Sequence, residues 1–295
     1  MLRDNKKDNR SGGNVMIYET IRLNDDIPDV TLTAYIPAPS SEYQMERKIP
    51  AVIVCPGGAF LFLSEREGEP VALRYNCEGY AAFVFRYHVG IDERTCMPQP
   101  LLDLGRAMLY IRKNGERWGI DTQRISICGF SAGGHLATAY GSAWNQSWLS
   151  DQLDVTDASL LKPLAAVAGY PPADMALLEE LTTDLMKNAN LAMFGTADPT
   201  ESMIKAFSPV EMVHSDTVPM FLWHTVQDEL VDVRGILHLA EKLAVHQVLF
   251  QLEIYPYGLH GLVLANEFTA CGEDSIRPEA AGWFSDMITF LDSLS

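Results

Sequence analysis

The stretch Arg124-Ile125-Ser126-Ile127-Cys128-Gly129-Phe130-Ser131-Ala132-Gly133-Gly134-His135-Leu136-Ala137-Thr138-Ala139-Tyr140 changes periodicity in its middle. Residues 124–128 are a short β-branched run of strand type, residues 134–140 suit a helix, and only Gly129-Phe130-Ser131-Ala132-Gly133 lies between. A chain passing so directly from strand to helix has to turn tightly. That requirement puts Ser131 in a strained backbone conformation and leaves no space for side chains at Gly129 or Gly133. In return the hydroxyl stands clear of its neighbours, as a nucleophile must. The pattern G-x-S-x-G alone is weak: with Gly and Ser each near ~7% of residues, it recurs by chance in about one chain in ten of this length. Its placement between strand and helix is what separates it from an ordinary Gly-rich turn.

Outward from this turn, short β-branched runs alternate with helical segments, the pattern of an α/β fold with a largely parallel sheet. Residues 15–23 and 30–36 read as two strands around a turn-rich Asn24–Asp29 segment, and the alternation in the second suits an antiparallel edge with one wet face. Runs 51–55, 81–85, 124–128, 164–169, 220–224 and 248–255 are more continuously apolar and belong in the buried middle of the sheet. Pro70 and Gly79 bracket one helix, and Leu101, Leu104, Met108 and Ile111 stripe another. A later helix spans Val233–Val245 with Asp232 as its N-cap, and a last one follows Pro278 with Phe284, Met287, Ile288 and Leu291 facing inward. Residues 171–218 are too long for an ordinary connection and carry helical segments at 173–181 and 202–206. They are expected to form a small helical cap inserted into a single domain of residues 15–295, with residues 1–14 as a flexible tail.

Composition narrows the functional classes. The 295 residues are 47% apolar and 21% charged, which suits a packed globular domain. The net charge of −17 repels phosphate backbones and anionic headgroups, so nucleic acid is not an expected partner. No run approaches the ~18 apolar residues of a membrane span. The N-terminal segment has no apolar core before a cleavage site, and the five scattered cysteines form no paired spacing. A cytoplasmic protein with reduced thiols and no zinc site is the expectation.

A Ser nucleophile needs a base, and the base an orienting acid. For an α/β-hydrolase, whose nucleophile stands on such a strand-to-helix turn, the three follow in the order Ser, Asp or Glu, His. Of the seven histidines, His88, His135, His214 and His224 come before the best acids, while His238 and His246 lie on the helix that begins near Val233. His260 is left, in a loop after the last strand, flanked by Gly258 and Gly261. The loop after residues 220–224 offers Asp228, Glu229 and Asp232. Asp228 is favoured; Asp232 is the runner-up with a cap to make, Glu229 reads as a solvated neighbour, and Asp174 is a further candidate one strand earlier. Cys55-Pro56-Gly57-Gly58-Ala59-Phe60 follows another strand, and its small residues let backbone N–H groups approach a ligand. With the N–H of Ala132, those of Gly58 and Ala59 are the candidate oxyanion donors.

Four local patterns in this order resemble the α/β-hydrolase superfamily, and within it the small esterase/lipase branch that includes acetyl-esterase-like and acetyl-xylan-esterase-like proteins. They are Pro56-Gly57-Gly58-Ala59-Phe60, Phe85-Arg86-Tyr87, Gly129-Phe130-Ser131-Ala132-Gly133-Gly134-His135, and His224-Thr225-x-x-Asp228 with the later His260-Gly261. One departure is that hormone-sensitive-lipase relatives carry His-Gly-Gly-Gly where this chain has Pro56-Gly57-Gly58-Ala59. The resemblance implies a mostly parallel eight-stranded sheet with helices on both faces, and hydrolysis of a small-molecule ester by Ser131, His260 and Asp228 without metal or organic cofactor. Neutral sugar esters fit the acidic charge, and Tyr170, Met175, Met186, Met193 and Phe194 are candidates to line a small pocket. A peptidase or acylaminoacyl-peptidase of the same fold is one alternative, although such enzymes usually carry a further large domain for which this length leaves no room. A binder that has lost turnover is the other. Homo-oligomerisation is left open.

Overall fold

The computed structural model describes residues 15–39, 48–178 and 183–294. The tail expected over residues 1–14 and the end of the helical segment expected at 173–181 lie outside them. Eight strands form one sheet: β1 (Ile17–Arg22), β2 (Thr31–Ile36), β3 (Ile49–Cys55), β4 (Ala81–Arg86), β5 (Ile120–Phe130), β6 (Ala166–Gly169), β7 (Met220–Thr225) and β8 (Phe250–Tyr255). Their spatial order is β1-β2-β4-β3-β5-β6-β7-β8. β1 pairs antiparallel with β2 and β2 with β4; every later pairing is parallel. Ten helices connect them among the described residues: α1 (Glu69–Cys77), α2 (Gln99–Asn114), α3 (Ala132–Ala143), α4 (Ser147–Gln152), α5 (Asp184–Phe194), α6 (Glu201–Phe207), α7 (Pro209–Met212), α8 (Val233–Val245), α9 (Pro278–Ala281) and α10 (Trp283–Ser293).

Side chains alternate across the strands and so feed two cores. Val52, Val54, Ala82, Val84 and Phe221 face α1 and α10, meeting Val71, Tyr75, Phe284 and Met287. The opposite face carries Ile53, Ile127, Ala166 and Met220, which stand in one register across four strands. α2 and α3 cover its first half and α8 its second. Leu101, Leu104, Met108 and Ile111 of α2 are fully buried, each worth about 1.5–3 kcal/mol relative to an exposed side chain. The expected caps are present: Pro70 sits in the first turn of α1, Gly79 follows it at φ 83°, and the Asp232 carboxylate accepts from the Arg234 N–H at the head of α8.

Three expectations are corrected. β8 is an edge strand with every residue half-buried, because it pairs with β7 alone, and Gln251, Glu253 and Tyr255 bond one another on one face. The wet face expected of the N-terminal pair exists only on β1; on β2, Thr33 and Tyr35 are buried, and Asn76 of α1 donates to the Tyr35 carbonyl. Between β6 and β7 the helix expected at 173–181 is, in its described part, a single 3-10 turn, Met175–Leu178. The main helix there is α5, capped by Thr183 and stopped by Gly195 at φ 72°. No helix among the described residues is long and apolar enough to cross a membrane. All five cysteines are free thiols.

Candidate active site

β5 delivers Ser131 to the carboxyl end of the sheet at φ 51°, ψ −122°, a strained conformation costing of order 1–3 kcal/mol. The turn is held by Ser131 N–H, which donates to Gly169 O on β6 at 3.0 Å. Glycine is compulsory on either side: a Cβ at Gly129 would stand 2.0 Å from Gly133 O, and one at Gly133 would stand 2.0 Å from Cys55 O. α3 starts at the next residue, so its positive N-terminal end points at the serine.

His260 Nε2 lies 2.9 Å from Ser131 Oγ, and its Nδ1 lies 2.7 Å from Asp228 Oδ2. The other Asp228 oxygen accepts from the N–H groups of Leu230 and Val231 at 2.9 Å each. The carboxylate is 1% exposed. Burial pushes its pKa up, but the His260 hydrogen bond, the nearby His260 charge and the Val231 N–H outweigh it and hold it below the usual carboxylate value. His224, fully buried with its Nε2 3.9 Å from Asp228 Oδ2, has its pKa pushed down by burial against the pull of Asp228.

The structure separates the other candidates from this cluster. Asp232 caps α8, Glu229 is exposed, and Asp174 pairs with His238 Nδ1 at 2.8 Å. His135 is buried in α3 and bonds Phe207 O at 2.8 Å; His214 bonds Ser142 O at 2.7 Å; His246 is exposed at the end of α8. Among the described residues, the N–H groups of Gly58, Ala59 and Ala132 have no protein acceptor. They flank Ser131 from two sides: Ala59 and Ala132 line the same cavity as the serine, and Gly57 is packed against its Cβ.

That cavity, about 50 Å³, is also lined by Met175, Met186 and Met193 from between β6 and β7. Tyr170 and Phe194 are not on its wall. Tyr170 lies under His260, ring edge to ring face at 4.9 Å, and donates its hydroxyl to Glu67 Oε1 at 2.8 Å. Arg66 and Glu67, beside the site, were not singled out in the sequence. The only signal they gave was an unusually charged Glu65-Arg66-Glu67-Gly68-Glu69 run before α1, which reads equally well as a solvated turn. Among the described residues no group of three or more His, Cys, Asp or Glu side chains is placed to hold a metal.

Known proteins share this architecture. The carboxylesterase Cest-2923 of Lactobacillus plantarum is 26% identical at a TM-score of 0.82, the match covering 95% of this chain and 97% of that one. The acetyl ester-xyloside bifunctional hydrolase of Caldicellulosiruptor lactoaceticus is 31% identical at a TM-score of 0.75, over 94% and 96% of the two chains. Endo-1,4-beta-xylanase B of Butyrivibrio fibrisolvens is 31% identical over 219 residues, 73% of this chain and 33% of that protein. The chain spans between a third and a half of the length of the curated relatives it matches. With residues 36–243 matching the BD-FAE family model, the chain belongs to that family, in an esterase branch of the α/β-hydrolase superfamily.

Proposed function

We propose that this chain is a serine carboxylic-ester hydrolase that works through an acyl-enzyme on short-acyl esters, such as acetyl esters of sugars. One observation carries the reading: two consecutive hydrogen bonds, 2.9 and 2.7 Å, join Ser131 to His260 and His260 to Asp228, beside three N–H groups that have no protein acceptor among the described residues. A carboxylate only accepts, so Nδ1 of the neutral ring carries the proton and Nε2 is the free base. Nε2 takes the Ser131 proton as Oγ attacks the ester carbonyl, and Asp228 steadies the imidazolium. The developing oxyanion is met by the N–H of Ala132 with those of Gly58 and Ala59, at the positive end of α3. His260 then protonates the departing alcohol. Water, deprotonated by the same ring, releases the acid.

The narrow apolar cavity beside Ser131 favours a short acyl group, with residues 171–218 acting as its cap. An acetyl ester-xyloside hydrolase among the similar structures supports sugar acetates as the alcohol side. A series of p-nitrophenyl esters from acetate to octanoate, run beside a peracetylated xylose, tests both points. Acetate is expected to be turned over fastest. Overfilling the cavity costs about 1–3 kcal/mol, so octanoate should lose roughly 10-fold to 100-fold in kcat/KM. Ser131→Ala should lower kcat by about 10⁶-fold and abolish labelling by a fluorophosphonate. Octanoate preferred over acetate refutes the short-acyl assignment; full turnover by Ser131→Ala refutes the mechanism.

A further inference from the structure

Glu67 ends a short 3-10 turn (Glu65–Glu67) before α1 and is only 4% exposed. A carboxylate buried so deeply is costly unless its oxygens are occupied. Both are: Oε2 accepts from Gly57 N–H at 2.7 Å, and Oε1 from the Tyr170 hydroxyl at 2.8 Å. Burial pushes its pKa up, with the Tyr170 and Gly57 hydrogen bonds pulling the other way. Neither bond belongs to a helix or strand, and neither group takes part in the chemistry above.

What they hold is the site. A Cβ on Gly57 would stand 2.8 Å from Ser131 Cβ and 2.9 Å from Glu67 Oε2, so this glycine is wedged between nucleophile and carboxylate. The peptides after it are strained, with φ of 131° at Gly58, 54° at Ala59 and 61° at Phe60. A left-handed conformation is strained for any residue other than glycine, so such a run keeps its shape only where its ends are fixed. On the far side of Ser131, Tyr170 Oη accepts from Val263 N–H at 3.2 Å. Arg66 donates from Nη2 to Gly261 O at 2.8 Å and from Nε to Thr269 O at 2.6 Å. His260 therefore rides on a loop gripped just after it by Arg66 and, through Tyr170, by Glu67.

We propose that Arg66 and Glu67 are positioning residues that tie the oxyanion loop at Gly57 to the His260 loop at Gly261 and Val263, keeping donors and base in register across Ser131. The inference rests on the serine-hydrolase reading and concerns how that site is held. Glu67→Met keeps the volume but leaves Gly57 N–H and the Tyr170 O–H proton without their acceptors; Glu67→Gln keeps an acceptor for Gly57 and presents Tyr170 with a donor. With active sites titrated by a fluorophosphonate, kcat per site on p-nitrophenyl acetate is expected to fall about 10²-fold in Glu67→Met and about tenfold in Glu67→Gln. KM should stay within about twofold of wild type. The Ki of a boronic acid, which forms a tetrahedral adduct on Ser131, should rise by the factor that kcat/KM loses.

A purely structural role would lower the melting temperature and the titrated fraction while leaving kcat per site and boronate affinity in place. A loss below about fivefold in kcat per site in folded Glu67→Met overturns the proposal. If that variant does not melt cooperatively, the same threshold applied to Glu67→Gln decides. Wild type and Ser131→Ala are assayed alongside. Turnover that survives in Ser131→Ala, or is missing in wild type, sinks the serine-hydrolase reading itself. Turnover that needs Ser131 but not Glu67 sinks only the positioning pair.

Discussion

The two oxygens of Asp228 have different partners, and that division makes the residue hard to replace. Oδ1 is committed to the N–H groups of Leu230 and Val231, and Oδ2 to His260 Nδ1. An asparagine has one acceptor and one donor. In Asp228→Asn the amide oxygen stays with the two N–H groups, so the NH₂ faces Nδ1 and forces the ring proton onto Nε2, the atom that receives the Ser131 proton in the proposed mechanism. We expect kcat on p-nitrophenyl acetate to fall roughly 10⁴-fold with little change in melting temperature. Asp232→Asn, at the head of α8, should change stability by under about 1 kcal/mol and leave kcat nearly intact. The opposite pattern would transfer the role to Asp232. The meeting of Asp228 with His260 was legible because both stand in turn-rich loops after strands, where chain order and loop position leave few choices. Glu67 was not, because burial is a property of the folded surroundings, and a glutamate in a charged run looks solvated until its partners are known.

At the scale of the element, α3 is pinned to the segment between β6 and β7 through His135. The ring is wholly buried, edge-on to Phe60, and its Nε2 must be the donor to Phe207 O because a carbonyl can only accept. Nδ1 has no partner among the described residues, so a second proton would sit there unsatisfied. Burial accordingly pushes the His135 pKa down to about 4, against the raising effect of the Phe207 bond. A histidine kept neutral in the fold but free to charge when unfolded stabilises fully above its ordinary value of 6.5, and loses that contribution as pH falls towards about 4. The contribution is roughly 3 kcal/mol. Urea midpoints at pH 7 and pH 4 should thus converge in His135→Gln relative to wild type; an unchanged pH slope would mean the ring does not titrate in this window. Elements were legible in proportion to their periodicity. α2 and α8 carry strong apolar stripes, whereas α5 mixes Asn188 and Asn190 into its turns, and β8 alternates Gln251 and Glu253 with apolar neighbours, the mark of an edge.

For the whole molecule, strand order is a property of crossovers and not of any single run. The sequence supplies eight strands, but only the connections, packed on two faces by α1 with α10 and by α2, α3 and α8, bring the ends of β3, β5, β7 and β8 to one rim. Over that rim acts the field of a chain with net charge −17, and exposed Glu229 stands in the very loop that holds Asp228. A neutral ester approaches without electrostatic work, while a carboxylate-bearing ester is repelled over a distance set by salt, about 30 Å at 0.01 M and about 8 Å at 0.15 M. Raising NaCl across that range should therefore increase kcat/KM for 4-acetoxybenzoate severalfold while leaving phenyl acetate level, since the two share an acyl group and differ in charge. The gain should appear in KM and in stopped-flow association, not in kcat at saturation, because screening changes encounter and leaves the Ser131–His260–Asp228 geometry alone. If 4-acetoxybenzoate instead loses kcat/KM as salt rises, the half-buried Arg66 behind His260 governs the local potential, and the acidic surface does not select against anionic esters.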